Sequence, residues 1–110
     1  MAKLENFEDL KCWKSARVLV KVIYQHCEKG KLKNDWDTKS QIKRAALSIM
    51  NNIAEGFERQ TIKEFRQFLF IAKGSCAELK SMLYLAVELS YLKKKDFDLL
   101  LNKAVEISKI

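Results

Sequence analysis

Apolar residues recur along this chain at helical spacing, and between Ser40 and Gly56 they do so on an unusually wide front. At about 100° per residue, Ile42, Ala46, Ile49 and Ile53 stack as a core stripe. Ala45, Leu47, Met50, Ala54 and Phe57 widen that stripe past half the circumference. What remains is a narrow polar seam of Gln41, Arg44, Ser48, Asn52, Glu55 and Arg59. A surface helix ordinarily has a narrower apolar stripe and a broad charged face. The pattern therefore predicts a helix covered on two sides, by its own domain and by another subunit.

Three further segments carry the same period. The first runs from about Asp9 to Glu28, with Asp9 as the expected N-cap and Gly30 as the stop. Trp13, Ala16, Val20, Ile23, Tyr24 and Cys27 form its core stripe, flanked by Lys14, Arg17 and Lys21. A polar connection follows. Asp37 or Thr38 is the expected cap of the second helix, Thr38 with Gln41 reads as a capping box, and Trp36 is placed to staple or cover that end. The third helix opens on a Thr61–Glu64 capping box and runs to about Ser90. Its core stripe is Phe65, Phe68, Leu69, Ala72, Cys76, Leu79, Leu83 and Ala86, close to heptad spacing. Gly74 in its middle costs about 1 kcal/mol relative to Ala, a cost that close approach of another backbone would offset. The fourth segment follows Lys93–Lys95, with Asp96 as the expected cap, and stops abruptly at Ile110, which leaves room for the native chain to continue. Short connections between amphipathic helices predict a single domain, 1–110, folded as an all-α, up-down antiparallel four-helix bundle.

Composition agrees. The 110 residues include no Pro and three Gly, which disfavours a turn-rich β fold. A chain of this size buries roughly 60–70% of its unfolded surface, so one core suffices without metal or disulfides. The three cysteines, Cys12, Cys27 and Cys76, contain no CxxC pair, and the latter two sit at apolar positions. Buried free thiols in a reducing cytoplasm are the expectation. The N-terminal MAKLENFEDLK has no apolar run after its charges and does not read as a signal peptide. No stretch approaches the ~20 apolar residues of a bilayer span.

The candidate chemistry is sparse. His26 is the single histidine, and one His beside one Cys is no zinc set. ExxH pairs, nucleophile elbows and GxxxxGK loops are absent from the sequence. The expectation is a protein without enzyme activity, cofactor, metal, small-molecule substrate or membrane association. The formal net charge of +7 points instead to a polyanion.

Two surfaces carry that possibility. Arg44, Ser48, Asn52 and Glu55 can bond along one face, with Arg44 paired to Glu55 or to Glu78 on the third helix; a partly buried Arg needs such a partner. Alternatively, Arg44 and Arg59 face a phosphate, and Arg59, beyond Gly56, is the freer of the two. On the third helix, Lys63, Arg66, Phe70, Lys73, Ala77, Lys80 and Tyr84 form a second stripe. Cations suit phosphates and rings suit unpaired bases. The same apolar positions equally suit a subunit interface with the cations at its rim. The candidate interface is Leu47, Met50, Ala54, Phe57, Phe70, Gly74, Ala77 and Tyr84. The candidate nucleic-acid contacts are Arg59, Lys63, Arg66, Lys73 and Lys80, extended by Lys39 and Lys43.

At these residues the sequence closely resembles the four-helix-bundle proteins encoded within intervening sequences of bacterial 23S ribosomal RNA genes. The resemblance rests on FEDLKCW (Phe7 to Trp13) followed by Ala16, on QIKRAALSI and NNIAEG (Gln41 to Gly56) followed by Arg59, and on EFRQFLFIAKGSCAEL (Glu64 to Leu79) with Gly74, Ser75 and Glu78. It implies an up-down bundle that assembles as a homo-oligomeric ring, typically a pentamer, with no assigned catalytic residues. It also implies kinship with the accessory protein of diversity-generating retroelements, a basic bundle that binds nucleic acid and reverse transcriptase. Two functions follow as expectations: an RNA- or DNA-binding oligomer, or a protein-interaction scaffold whose charge is incidental.

Overall fold

The computed structural model describes residues 5–110; residues 1–4 of the expected domain lie outside the described residues. Among the described residues the chain is all-α: four helices and no strand. They are α1 (Lys11–Cys27), α2 (Trp36–Phe57), α3 (Ile62–Glu88) and α4 (Lys94–Ile107), with 3-10 turns at Phe7–Asp9 and Leu32–Asn34. Consecutive helices touch, α4 closes back on α1, and α2 runs longest against α3. The molecule measures 47 × 23 × 19 Å.

Every helix contributes its apolar stripe to one core. Ala16, Leu19 and Ile23 of α1 meet Ile42, Ala46, Ile49 and Ile53 of α2, Ala72, Cys76, Leu79 and Leu83 of α3, and Leu100, Ala104 and Ile107 of α4. The alanines let neighbouring helices approach while the branched residues fill the space between them. Gly56 marks the tightest approach: a Cβ there would lie 2.6 Å from the Phe68 Cβ. The helix ends one residue later, at Phe57, close to the end expected from the sequence, and Gly56 is a place where α2 meets α3.

The helix starts differ from the sequence expectations in three places. Asp9 does not cap α1. Phe7 docks edge-on against Trp13, with ring centroids 5.2 Å apart, and this contact accompanies a 3-10 turn that ends where α1 begins. Asp35, rather than Asp37 or Thr38, caps α2: its carboxylate accepts from the Thr38 N–H at 3.1 Å and the Thr38 hydroxyl at 2.9 Å. Both capping atoms of Thr38 are thereby engaged, and Trp36 is 70% exposed and covers nothing. Lys93, three residues before Asp96, is the N-cap of α4, and Asp96 falls within the first turn. There its charge still favours the helix dipole. Thr61 caps α3 as expected, its hydroxyl accepting from the Glu64 N–H at 3.1 Å and donating to the Glu64 carboxylate at 2.9 Å.

The turn after α3 has its own construction. The Tyr91 N–H reaches the Ala86 carbonyl at 2.8 Å and the Ser90 N–H reaches Val87 at 3.0 Å. This pair of bonds is a Schellman closure. It places Ser90 at a φ of 62°, the left-handed region where glycine is preferred. Tyr91 then donates its hydroxyl to Asp35 at 2.7 Å, tying the α3–α4 connection to the start of α2.

Candidate nucleic-acid interface

The wide apolar arc of α2 is largely consumed inside the single chain. Leu47 and Met50 are half-buried against the core, Ala54 and Phe57 are half-buried, and Phe57 packs edge-on against Phe65 at 6.1 Å. The only large apolar side chain of α2 left exposed is Trp36. α3 exposes Ile62, Phe70, Ile71, Tyr84 and Leu85, with Leu89 just past its end, while Val18 of α1 and Leu99 and Val105 of α4 are exposed as well. Phe70 is 71% exposed; Tyr84, 56% exposed, rests its edge on Phe97 at 5.1 Å. Gly74 and Ala77 are exposed between them, and a Cβ on Gly74 would meet nothing within 4 Å. The two halves of the candidate interface therefore differ in exposure: the α2 half is half-buried and the α3 half faces solvent.

The polar seam divides in the same way. Ser48 and Ser75 share a hydrogen bond of 2.7 Å across the α2–α3 contact. Asn52 donates to the Ser48 carbonyl at 2.8 Å and to its hydroxyl at 3.0 Å. Ser75 is the one polar residue that is buried among the described residues, and this contact satisfies it. Gln41, Arg44, Glu55 and Glu78 are exposed. Among the described residues Arg44 forms no ion pair and is exposed, so it is not the partly buried cation paired with Glu55 or Glu78 that the sequence suggested. Its place on the outer edge of the helix keeps the guanidinium in water.

The candidate cations separate by what already holds them. Arg59 pairs with Glu55 at 2.8 Å and lies over the Phe68 ring at 4.8 Å, so it is engaged rather than free. Lys39 donates to the Lys33 carbonyl at 3.1 Å. Lys43 reaches Glu28 at 3.5 Å and sits 4.6 Å above the Tyr24 ring. Lys80 is half-buried. Lys63, Arg66 and Lys73 are exposed and form no ion pair among the described residues. Arg66 and Lys73 flank Leu69, Phe70 and Ile110 around an open groove of ≈ 320 Å³.

Burial pushes the Cys76 thiol up to about 11 and raises Cys27 and Cys12 as well, so all three remain thiols at neutral pH. The hydrogen bond from Tyr91, followed by those from Thr38, holds the Asp35 carboxyl below the usual carboxylate value. Among the described residues no group of three or more His, Cys, Asp or Glu converges as a metal site, and no helix is long and apolar enough to cross a membrane. The Asp35–Tyr91 link escaped sequence reading because it joins positions far apart along the chain. The Trp13–Arg17 and Tyr24–Lys43 stacks escaped it too, although the stripe of Lys14, Arg17 and Lys21 signalled a basic α1.

Fold and surface together define a basic, all-helical protein of four helices with exposed cations and rings. The pattern of the 23S rRNA-intervening sequence proteins covers residues 8–110, and the chain belongs to that family. Its fold is also that of a crystal structure of a protein of unknown function from the S23 ribosomal protein family of Bacteroides thetaiotaomicron, with a TM-score of 0.81 over 89% of this chain and 92% of that one, at 23% identity. No curated protein matches the sequence.

Proposed function

We propose that this chain is a non-enzymatic, cytoplasmic, up-down antiparallel four-helix bundle that self-associates, as a ring, and binds nucleic acid, RNA foremost, through its phosphates. The observation that carries the reading is the surplus of uncommitted charge. Net charge is +7, and only three side-chain ion pairs form among the described residues. Exposed cations of this kind release counterions from a polyanion, and that release drives binding. The exposed apolar residues of α3 support self-association, since a contiguous apolar patch on a soluble domain marks an interface. A ring repeats each cation around its axis and raises avidity without any new contact.

The same apolar face also favours a second reading, a scaffold that docks a partner protein with no nucleic-acid role. Salt dependence separates the two. The chain is expected to retain structured RNA in filter binding at low salt and to lose at least tenfold of that affinity at physiological salt. No retention at low salt would favour the scaffold.

A further inference from the structure

The positive charge of this molecule is not spread evenly over its helices. α1 holds Lys11, Lys14, Arg17 and Lys21 and no carboxylate. α2 holds Lys39, Lys43 and Arg44 between Thr38 and Ala54, again with no carboxylate. By contrast, α3 interleaves its cations with Glu64, Glu78 and Glu88, and α4 carries as many acids as bases. α1 therefore has the largest excess of cations over carboxylates of the four helices, and it borders the carboxylate-free stretch of α2, whereas the sequence candidates centred on α3.

That side also presents rings. Trp13 is half-buried with the Arg17 guanidinium 5.4 Å from its centroid, and Tyr24 is 38% exposed with the Lys43 ammonium 4.6 Å from its own. Arg17, Lys21, Tyr24 and Glu28 follow one another at spacings of four, three and four, so they share one face of α1. That face borders α2 at the Lys43 contacts with Tyr24 and Glu28. Beside Tyr24 lies an open groove of ≈ 430 Å³, with Leu47 as its apolar element, Ser40 and Asn51 as hydrogen-bonding groups, and Lys43 and Arg44 as cations. Its volume admits a nucleobase.

We propose that the α1–α2 seam is a track for single-stranded nucleic acid, with Arg17, Lys21, Lys43 and Arg44 on phosphates and Trp13 and Tyr24 as stacking platforms. The inference rests on the nucleic-acid reading above and deepens it. A ring covered by a cation is already set up for this exchange: a base takes the ring face and the displaced cation turns to the adjoining phosphate. Duplexes are excluded from such contacts because their bases are already stacked inside the helix, whereas unpaired bases expose a π-face to any aromatic platform. Arg17 and Lys21 are about 6 Å apart along the helix axis, which lets both engage one strand.

Fluorescence anisotropy of the full chain with a labelled oligouridylate, and with a hairpin duplex of equal length, tests this. The oligouridylate is expected to bind more tightly than the duplex. Arg17→Ala with Lys21→Ala should weaken it about tenfold and reduce the steepness of its salt dependence by roughly 1.4, two phosphates' worth for a single strand. Tyr24→Leu should weaken it about tenfold, and Tyr24→Phe should restore it. Arg66→Ala with Lys73→Ala on α3 should change it less than threefold. Circular dichroism confirms the fold of each variant. Preference for the duplex, equal binding by Tyr24→Leu, or equally effective competition by polyglutamate would overturn the track. So would loss confined to the α3 variant, although the nucleic-acid reading would then survive. If the wild-type chain held neither probe, both readings would fall.

Discussion

Ser90 adopts a backbone conformation that costs an L-residue about 1–2 kcal/mol, and it does so because the Schellman bonds to Ala86 and Val87 require it. Ser90→Gly should therefore raise stability by about 0.5–1 kcal/mol, the gain being trimmed by the greater freedom of glycine in the unfolded chain. Thermal unfolding should show a melting temperature a few degrees higher. Asp35 makes a second residue-scale prediction. Its folded carboxyl titrates below the usual value, so the stabilisation it gives is present above the unfolded value near 3.8 and is lost as pH falls through the lower, folded one. Tyr91→Phe removes the largest cause of that shift. The variant should be less stable than wild type at pH 7, and the gap should narrow below pH 4 in denaturant titrations at stepped pH. A gap independent of pH would mean that Asp35 and Tyr91 are not coupled. At this scale the sequence was legible where chemistry is local. Thr61 and Glu64 stand three residues apart and cap α3 as their types predict. Asp35 competed with Asp37 and Thr38 for the start of α2, and the deciding contact came from Tyr91, distant in sequence.

Two glycines with opposite surroundings test the packing of whole elements. Gly56 lies where α2 crosses α3, and a methyl there would press into the Phe68 Cβ. Overpacking of this kind costs about 1–3 kcal/mol, against which the better helix propensity of alanine returns up to about 1. Gly56→Ala should therefore lose about 1–2 kcal/mol in chemical denaturation. Gly74 has open space around it within the chain, so Gly74→Ala should stabilise the isolated fold by about 1 kcal/mol. If another subunit's backbone approaches that point, the same change should weaken assembly, and a dilution series by size-exclusion chromatography would show it. Helical periodicity was enough to place all four helices, because their apolar stripes are continuous and no strand signal competes. It was not enough to assign the outer faces. The wide arc of α2 points to a neighbouring subunit, and Leu47 and Met50 are half-buried against the core of their own chain, with part of each side chain still accessible. Periodicity reports how much of a helix is apolar, not which neighbour covers it.

At the scale of the molecule, Ile62, Phe70, Ile71, Tyr84 and Leu85 leave apolar surface exposed on α3, and carboxylate-free stretches of cations occupy α1 and α2. In the proposed account the first surface serves assembly and the second a polyanion. Sequence reading identified the basic character and the α3 stripe and spread its candidate contacts over α2 and α3, while nothing in the spacing alone showed that Arg59 was engaged by Glu55 or that Arg17 lay on Trp13. Sedimentation velocity of the full chain with labelled single-stranded RNA, at low and at physiological salt, tests the whole account in one measurement. The account predicts protein sedimenting as a multiple of the 12.8 kDa chain at both salts, with RNA moving alongside it at low salt and largely released at the higher. A persistent 12.8 kDa species, with RNA sedimenting alone at both salts, would contradict it.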